Sequence, residues 1–377
     1  MLGWRAATDQ ALYGPQGFYR RAGGGPAAHF RTSVHASPLY AAALARLLRE
    51  VDEALGHPDP LDVVDMGAGR GELLIAIRAV LLTTRLQGRV RLTGVEVATR
   101  PADLPAEIGW TPVLPAGVVG LVVANEWLDD VPVDVVVTTA DGPRMVLVDP
   151  ATGEESWTGP VPGAHDLQWL DRWWPLGAAV GGRAEVGHPR DAVWAATVSG
   201  VRRGLTLAVD YGHTRGQRLA GRFPAGTLTG YRDGRVVPPV PDGSCDVTSH
   251  VALDACAAAG VAAGASATVL CTQRDALARL GVGCAAELGG RPAYEQARRD
   301  PHGYLAALVR TGQAGELTAR EGLGSFTWLA QGVDLDAVPL LQHPPAPLNA
   351  QRDQAISHHE WAPPEVTRRG HGAGETA

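Results

Sequence analysis

Two hydrophobic periods run along this chain, and the places where one gives way to the other divide it. Between 37 and 56, Leu44, Leu47, Leu48, Val51 and Leu55 recur at helical spacing and predict a helix with one buried face. Ser37-Pro38 opens it, with Ser as N-cap and Pro at the first helical position, and Gly56 stops it. "LDVVDM" at 61–66 is a short β-branched run between turn signals, the pattern of a buried strand. Residues 71–84 read as the next helix, "RVRLTGVEV" (89–97) as a second strand, and "GLVVANEWLDDVPVD" (120–134) holds a third, ending near Ala124. Strands alternating with helices predict a right-handed, parallel α/β sheet of Rossmann-like form.

The alternation breaks after 132. Residues 133–159 read as two or three antiparallel strands with a hairpin turn at Asp141-Gly142. Helices follow at 165–175 and within 189–203, and "GLTLAVDYG" (204–212) returns to the parallel core. Further on come helices at 251–259 and 273–280 around a strand at 266–271, a largely helical stretch at 293–310, and a closing strand at 324–332. The division that results is an N-terminal segment 1–60, a first part of the core 61–131, an α+β insertion 132–200, the rest of the core 201–341, and a tail 342–377 with no apolar period, expected to be disordered. Residues 1–36 read as irregular, with a short helix at most. The insertion's tryptophans, Trp157, Trp169, Trp173, Trp174 and Trp194, are expected mainly in a small core, with one or two exposed near a cleft.

Composition narrows the function classes. The 377 residues carry a formal charge of −7, and all 33 basic residues are arginine, so a nucleic-acid partner is not expected. No apolar run is long enough to cross a membrane, and the first residues form neither a signal peptide nor a transit pattern, so a cytoplasmic location and no membrane partner are expected. Cys245, Cys256, Cys271 and Cys284 make no C-x-x-C pair; buried free thiols and no metal site are the expectation.

The candidate chemistry starts at "LDVVDMGAGRGELL" (61–74). A glycine-rich turn after the first parallel strand is a nucleotide-cofactor signature, because glycine lets the backbone bend tightly and approach a ligand. The pattern formed by Gly67, Gly69 and Gly71 is G-x-G-x-G, which is weak evidence alone. Its flanking charges say more. Asp65 ends the strand and Glu72 opens the helix, and two carboxylates there would repel a pyrophosphate by about 4 kcal/mol per pair at ~4 Å. S-adenosylmethionine (SAM) has no phosphate and carries an ammonium and a sulfonium. Arg70 runs against this unless it points to solvent or grips the methionine carboxylate. Glu96, at the end of the second strand, stands where an acidic residue takes ribose hydroxyls. "ANEWLDD" (124–130) places Asn125, Glu126 and Asp129 beyond the third strand, where substrates meet such sheets. Asn125 and Asp129 also suit a helix cap.

Several blocks in order make the chain resemble the MidA-type family of class I SAM-dependent methyltransferases, whose mitochondrial member is a protein arginine methyltransferase that assists complex I assembly. They include "LYGPQGFY" (12–19), "HFRTSVHASPLY" (29–40), "VVDMGAGRGEL" (63–73), "ANEWLDDVPV" (124–133), "VDYG" (209–212), "GTLTGYRDGRV" (226–236), "DVTSHV" (246–251) and "TQRDALARLG" (272–281). The resemblance implies a class I methyltransferase sheet with an N-terminal extension and an α+β insertion. It places Gly67, Gly69 and Gly71 beside the methionine part of SAM, Glu96 at the ribose, and Asn125-Glu126 beside the active site. Phe18, Tyr19, Phe30, Thr32 and Ser33 belong to a block that folds over the cofactor. The chain departs from the family at Ala28-His29-Phe30 (often Gly-Asp-Phe), at Val34-His35 (often Pro-Glu) and at Ala68 (usually Pro), which bears on arginine specificity more than on SAM.

The expected activity is therefore methyl transfer from SAM to a protein side chain, arginine being the named candidate. Glu126, Asn125 and Asp129 are the catalytic candidates, with Asp210 behind Glu126, while Asp65, Gly67, Gly69, Gly71, Glu96 and Asn125 are the cofactor-binding ones. Carboxylates would grip a guanidinium in a fork rather than deprotonate it. His29, His35 and His213 are possible later proton acceptors, each more simply read as structural. A non-catalytic SAM-binding assembly factor and an NAD-dependent oxidoreductase are the alternatives; glycine spacing disfavours the second. The sequence leaves oligomeric state open.

Overall fold

The computed structural model describes residues 1–20, 32–283, 298–339 and 341. The expected tail 342–377, Cys284, His29, Phe30 and the first part of the expected helix 293–310 lie outside the described residues.

At its centre is a seven-stranded sheet. Its strands in chain order are β1 (Leu61–Met66), β2 (Val90–Val95), β3 (Gly109–Thr111), β4 (Val118–Asn125), β5 (Val201–Asp210), β6 (Ala267–Thr272) and β7 (Thr327–Val333). The spatial order is β6-β7-β5-β4-β1-β2-β3. Five strands, from β3 to β5, pair in parallel, and only β7 runs against its neighbours. β1 is buried along its whole length, and its mid-sheet position explains why it reads as a continuous apolar run rather than an alternation. The carboxyl ends of β1, β2, β4 and β5 open on one edge of the sheet, where an open α/β fold binds ligands.

The helix predicted from Ser37-Pro38 is present as Pro38–Ala54, with Ser37 Oγ accepting from Leu39 N at 3.0 Å. It buries Tyr40, Leu44, Leu47, Leu48 and Val51 against β1, β4 and the helix Glu72–Leu81. This face joins the larger of the two apolar layers that sandwich the sheet; Trp194, Val198, Leu253 and Cys256 belong to the other.

The N-terminus is more regular than its sequence suggests. Trp4–Tyr13 forms a ten-residue helix that buries Trp4, Ala7, Thr8, Ala11 and Leu12. Those positions are spaced for a helix, but three of the five are small or polar and weigh little as an apolar stripe. Trp4 is fully buried, and its indole N–H donates to Glu155 Oε1 at 2.8 Å. It shares a core with Val135, Val137, Val146, Val148, Cys245 and Val247. A small lobe therefore combines chain from 1–60, 132–200 and 201–341. Its sheets are Arg183–Val186 with the hairpin Asp134–Thr139/Gly142–Met145, the short strands Leu2–Gly3, Leu147–Val148 and Glu155–Ser156, and the ribbon Thr229–Arg232, Arg235–Val237 and Asp246–Thr248. Trp169, Trp174 and Trp194 are buried, whereas Trp157 is exposed. Cys245 and Cys256 are buried free thiols, and Cys271 is a half-buried one.

Candidate active site

The glycine turn sits at the end of β1. Gly67 N donates to Val95 O at 2.9 Å, tying the turn to the end of β2. Gly67, Gly69 and Gly71 have φ of +67°, +55° and +84°, a region that costs an L-residue roughly 1–2 kcal/mol. Space is as tight as conformation: a Cβ on Gly67 would lie 2.6 Å from Trp127 Cδ1, and one on Gly71 2.6 Å from Leu104 Cδ1. Beneath the turn lies Asp65, buried; burial pushes its carboxyl well above the usual range, and Glu72 and Glu96 push it further. A cation in the turn would relieve that cost, whereas a phosphate would add to it. Arg70 turns its side chain outward to Asp103 at 3.4 Å, on an exposed surface.

Glu96 is held against the turn. Its Oε2 accepts from Gly69 N at 3.1 Å and its Oε1 from Ala98 N at 3.0 Å. An ionised carboxylate has about four acceptor positions, so roughly two remain for a diol. Glu96, Val97, Pro112 and Leu114 line a wide cleft that shares Tyr19, Gly67, Gly69, Arg70, Glu126 and Asp130 with a narrower, more acidic chamber. The glycine cradle, the buried Asp65 and the spare acceptors of Glu96 fit a cationic nucleoside such as SAM.

Asn125 ends β4, and Glu126 follows with φ +50°, a left-handed conformation that is rare outside glycine and costs roughly 1–3 kcal/mol. Glu126 N stays on the sheet, donating to Val209 O at 2.8 Å. The bend aims the side chain into the chamber. Oε1 accepts from Asn125 Nδ2 at 3.1 Å and Ser33 N at 3.4 Å, and the Asn125 Oδ1 accepts from Tyr40 Oη at 2.6 Å. Oε2 has no hydrogen bond among the described residues. Burial, with the charge of Asp129, pushes the Glu126 carboxyl up to about 7, against the pull of Ser33, Asn125 and His35. Thr32 and Ser33, from the block expected to fold over the cofactor, border this site, as does His35. The His35 ring holds Thr32 Oγ1 at 2.8 Å on one nitrogen and faces Glu72 Oε1 at 3.8 Å on the other.

The far wall of the chamber is acidic as well. Asp129, Asp130 and Asp246 line it with Tyr19, Tyr211, Tyr231 and Thr248. Thr248 Oγ1 donates to Asp129 Oδ2 at 2.8 Å, and Tyr19 Oη to Asp130 Oδ2 at 2.5 Å. Burial raises all three carboxyls; neighbouring aspartate charges add to the rise at Asp130 and, from Asp129, at Asp246, which reaches about 7. Arg190 lies behind Asp129, but its guanidinium donates to the carbonyls of Asp129, Val131, Ser249 and His250 and to Ser249 Oγ. Among the described residues no ion pair engages Glu126, Asp129, Asp130 or Asp246.

The structure thus brings Asp65, Gly67, Gly69, Asn125, Glu126 and Asp129 to one cavity and seats Glu96 in the cleft that opens beside it. Gly71 stands one step back, as N-cap of the helix Glu72–Leu81. Asp210 does not join them. It is fully buried, its Oδ2 accepting from Leu128 N at 2.9 Å and Asp129 N at 3.2 Å and its Oδ1 from Tyr211 N at 2.9 Å, so it anchors the loop beneath Glu126. His213 is likewise buried, against Arg218 and Trp174 and away from the chamber. Asp130, Tyr231, Asp246 and Thr248 carried no sequence-based role. A signal was present in "DVTSHV": alternation in a strand puts Asp246 and Thr248 on one face and Val247 on the other.

Comparison with known proteins agrees with this geometry. Residues 43–271 match the family described as "Putative S-adenosyl-L-methionine-dependent methyltransferase". The chain is similar to a COG1565 superfamily member from Burkholderia thailandensis bound to S-adenosyl-homocysteine. The two share 25% identity with a TM-score of 0.72, over 89% of this chain and 88% of that one. A native crystal structure of a COG1565 superfamily protein from the same organism is 23% identical, with a TM-score of 0.72 over 90% of each chain. No curated protein matches the chain.

Proposed function

This chain belongs to that family of SAM-dependent methyltransferases, and from that premise we propose that its methyl acceptor is a cationic protein side chain, the guanidinium of arginine. The observation that supports the reading is the Glu126 carboxylate, bent into a chamber whose far wall is three more carboxylates that form no ion pair among the described residues. Bound in the glycine turn, SAM supplies a methyl group activated by its sulfonium.

The chain's own residues do the rest. Gly67 and Gly69 present bare backbone, Glu96 offers its spare lone pairs to ribose hydroxyls, and Asp65 ionises toward a cation. Glu126, fixed through Oε1 by Asn125 and Ser33, is free at Oε2 to grip one acceptor nitrogen and turn its lone pair toward the methyl group. Forming the new N–C bond obliges that nitrogen to lose one proton. Arginine is too weak an acid to lose it beforehand, so the proton leaves as the bond forms. Glu126, poised near 7, is the residue placed to take it and pass it to water. Tyr19 and the Thr32–His35 segment border the chamber, limiting water around the reacting atoms.

The test is incubation of the protein with methyl-labelled SAM and a lysate of its own organism, followed by mass spectrometry of the labelled species. Label on arginine of a protein is expected. Label confined to lysine, to a carboxylate or to small molecules would overturn the acceptor assignment.

A further inference from the structure

The ribbon 229–248 lies outside the central sheet, yet it supplies one wall of the chamber. Asp246 pairs directly across it with Tyr231, and Thr248 with Thr229. Val247, pointing the other way, packs on the Trp4 core, so the strand is fixed from behind. Asp246 and Asp129 are 4% and 6% exposed, and each keeps one oxygen, Oδ1 in both, without a hydrogen-bond partner among the described residues. Buried carboxylate oxygens are rarely left so. Both residues line the same cavity, and Thr248 fixes the other oxygen of Asp129, which holds that carboxyl in the wall.

We infer that Asp246 and Asp129 form the acceptor-recognition pair, their carboxylates taking the N–H groups of the guanidinium that Glu126 does not hold. This rests on the cationic-acceptor reading above and adds which residues select the acceptor. Four carboxylates reach the acceptor end of the chamber from three elements: Glu126 from the end of β4, Asp129 and Asp130 from the loop after it, and Asp246 from the ribbon. A guanidinium offers five N–H donors in a rigid plane, enough to meet all four at once. A lysine ammonium offers three donors at a single point and leaves at least one buried oxygen unmet. The Tyr231 and Tyr211 side chains complete the walls, and an aromatic ring face also favours a planar cation. The ribbon would thus discriminate arginine from lysine while Glu126 addresses the reacting nitrogen.

The experiment is calorimetric titration of acetyl-Gly-Arg-Gly-amide and acetyl-Gly-Lys-Gly-amide into the full chain saturated with S-adenosyl-homocysteine, for the unaltered protein, Asp246→Asn, Thr248→Val and Glu126→Gln. The expected result is that the unaltered protein binds the arginine peptide at least tenfold more tightly than the lysine peptide. Asp246→Asn removes that preference, and Thr248→Val weakens it by a smaller factor. S-adenosyl-homocysteine affinity, measured separately, stays within about twofold and shows that each variant is folded. Arginine binding unchanged in both Asp246→Asn and Thr248→Val overturns this inference and leaves the acceptor assignment standing. Failure of the unaltered protein to bind the arginine peptide overturns the assignment and the inference together. If Asp246→Asn does not fold, the Thr248→Val result decides.

Discussion

Replacing Glu126 by Gln separates what the fold tolerates from what the chemistry needs. Gln keeps an oxygen for Asn125 Nδ2 and Ser33 N, so the side chain stays in place and loses only its titration. In the unfolded chain the Glu carboxyl ionises near 4.5; in the unliganded fold burial and Asp129 push it up to about 7. Between those values the folded protein holds a proton that the unfolded chain has released. Stability from this group is therefore full below 4.5 and lost as pH rises through about 7, a change of about 3 kcal/mol. Glu126→Gln does not suffer this loss, so relative to the unaltered protein it gains about 3 kcal/mol between pH 4.5 and pH 8, a shift of several degrees in Tm. Asp246 titrates in the same window but is present in both proteins, so the difference reports Glu126. Paired thermal unfolding at pH 5, 6, 7 and 8 without ligand measures it. Methyl transfer by the same variant should fall about 100-fold or more in kcat with little change in SAM affinity. Parallel Tm–pH curves would show that Glu126 is not a buried, proton-holding acid, and an unchanged kcat would remove it from the chemistry.

Other outcomes follow from single contacts. Glu96→Ala should weaken S-adenosyl-homocysteine binding about tenfold or more in calorimetry, since it removes both the ribose acceptor and the bond to Gly69 N. Gly67→Ala should abolish that binding and lower stability by about 2 kcal/mol or more, because φ is +67° and the new Cβ meets the Trp127 ring. Trp4→Ala should destabilise the protein by about 3–5 kcal/mol in denaturant unfolding although it lies outside the chamber, through the cavity left in the small lobe and the unpaired Glu155.

How much of this was legible in the sequence depended on the range of the contacts. The buried strand Leu61–Met66, the glycine turn and the Ser37-capped helix were readable because their causes are local: a β-branched run, backbone conformation, a hydroxyl two residues from an amide. Glu126 was readable as a strand-end carboxylate, but its bend was not, since nothing in "ANEWLDD" marks a left-handed glutamate. Asp210 stands behind Glu126 as a candidate because it ends a core strand near Asp129; which of the two faces the chamber is settled by a loop that turns its amides onto Asp210. Asp246 was hidden by distance. It meets Asp129 across 117 residues of chain, and only the ribbon's seating on the Trp4 core brings it there.

That seating bears on how the chain acquires its shape. Trp4 waits for Val135 and Val137, and these wait for Val247, so the lobe closes only after some 240 residues have been synthesised. Until then the strand Asp134–Thr139 keeps an uncovered valine face, an aggregation hazard of the kind long-range pairing creates. A fragment cut at residue 200, however tidy it looks as an α/β half, would carry that bare face into solution and precipitate.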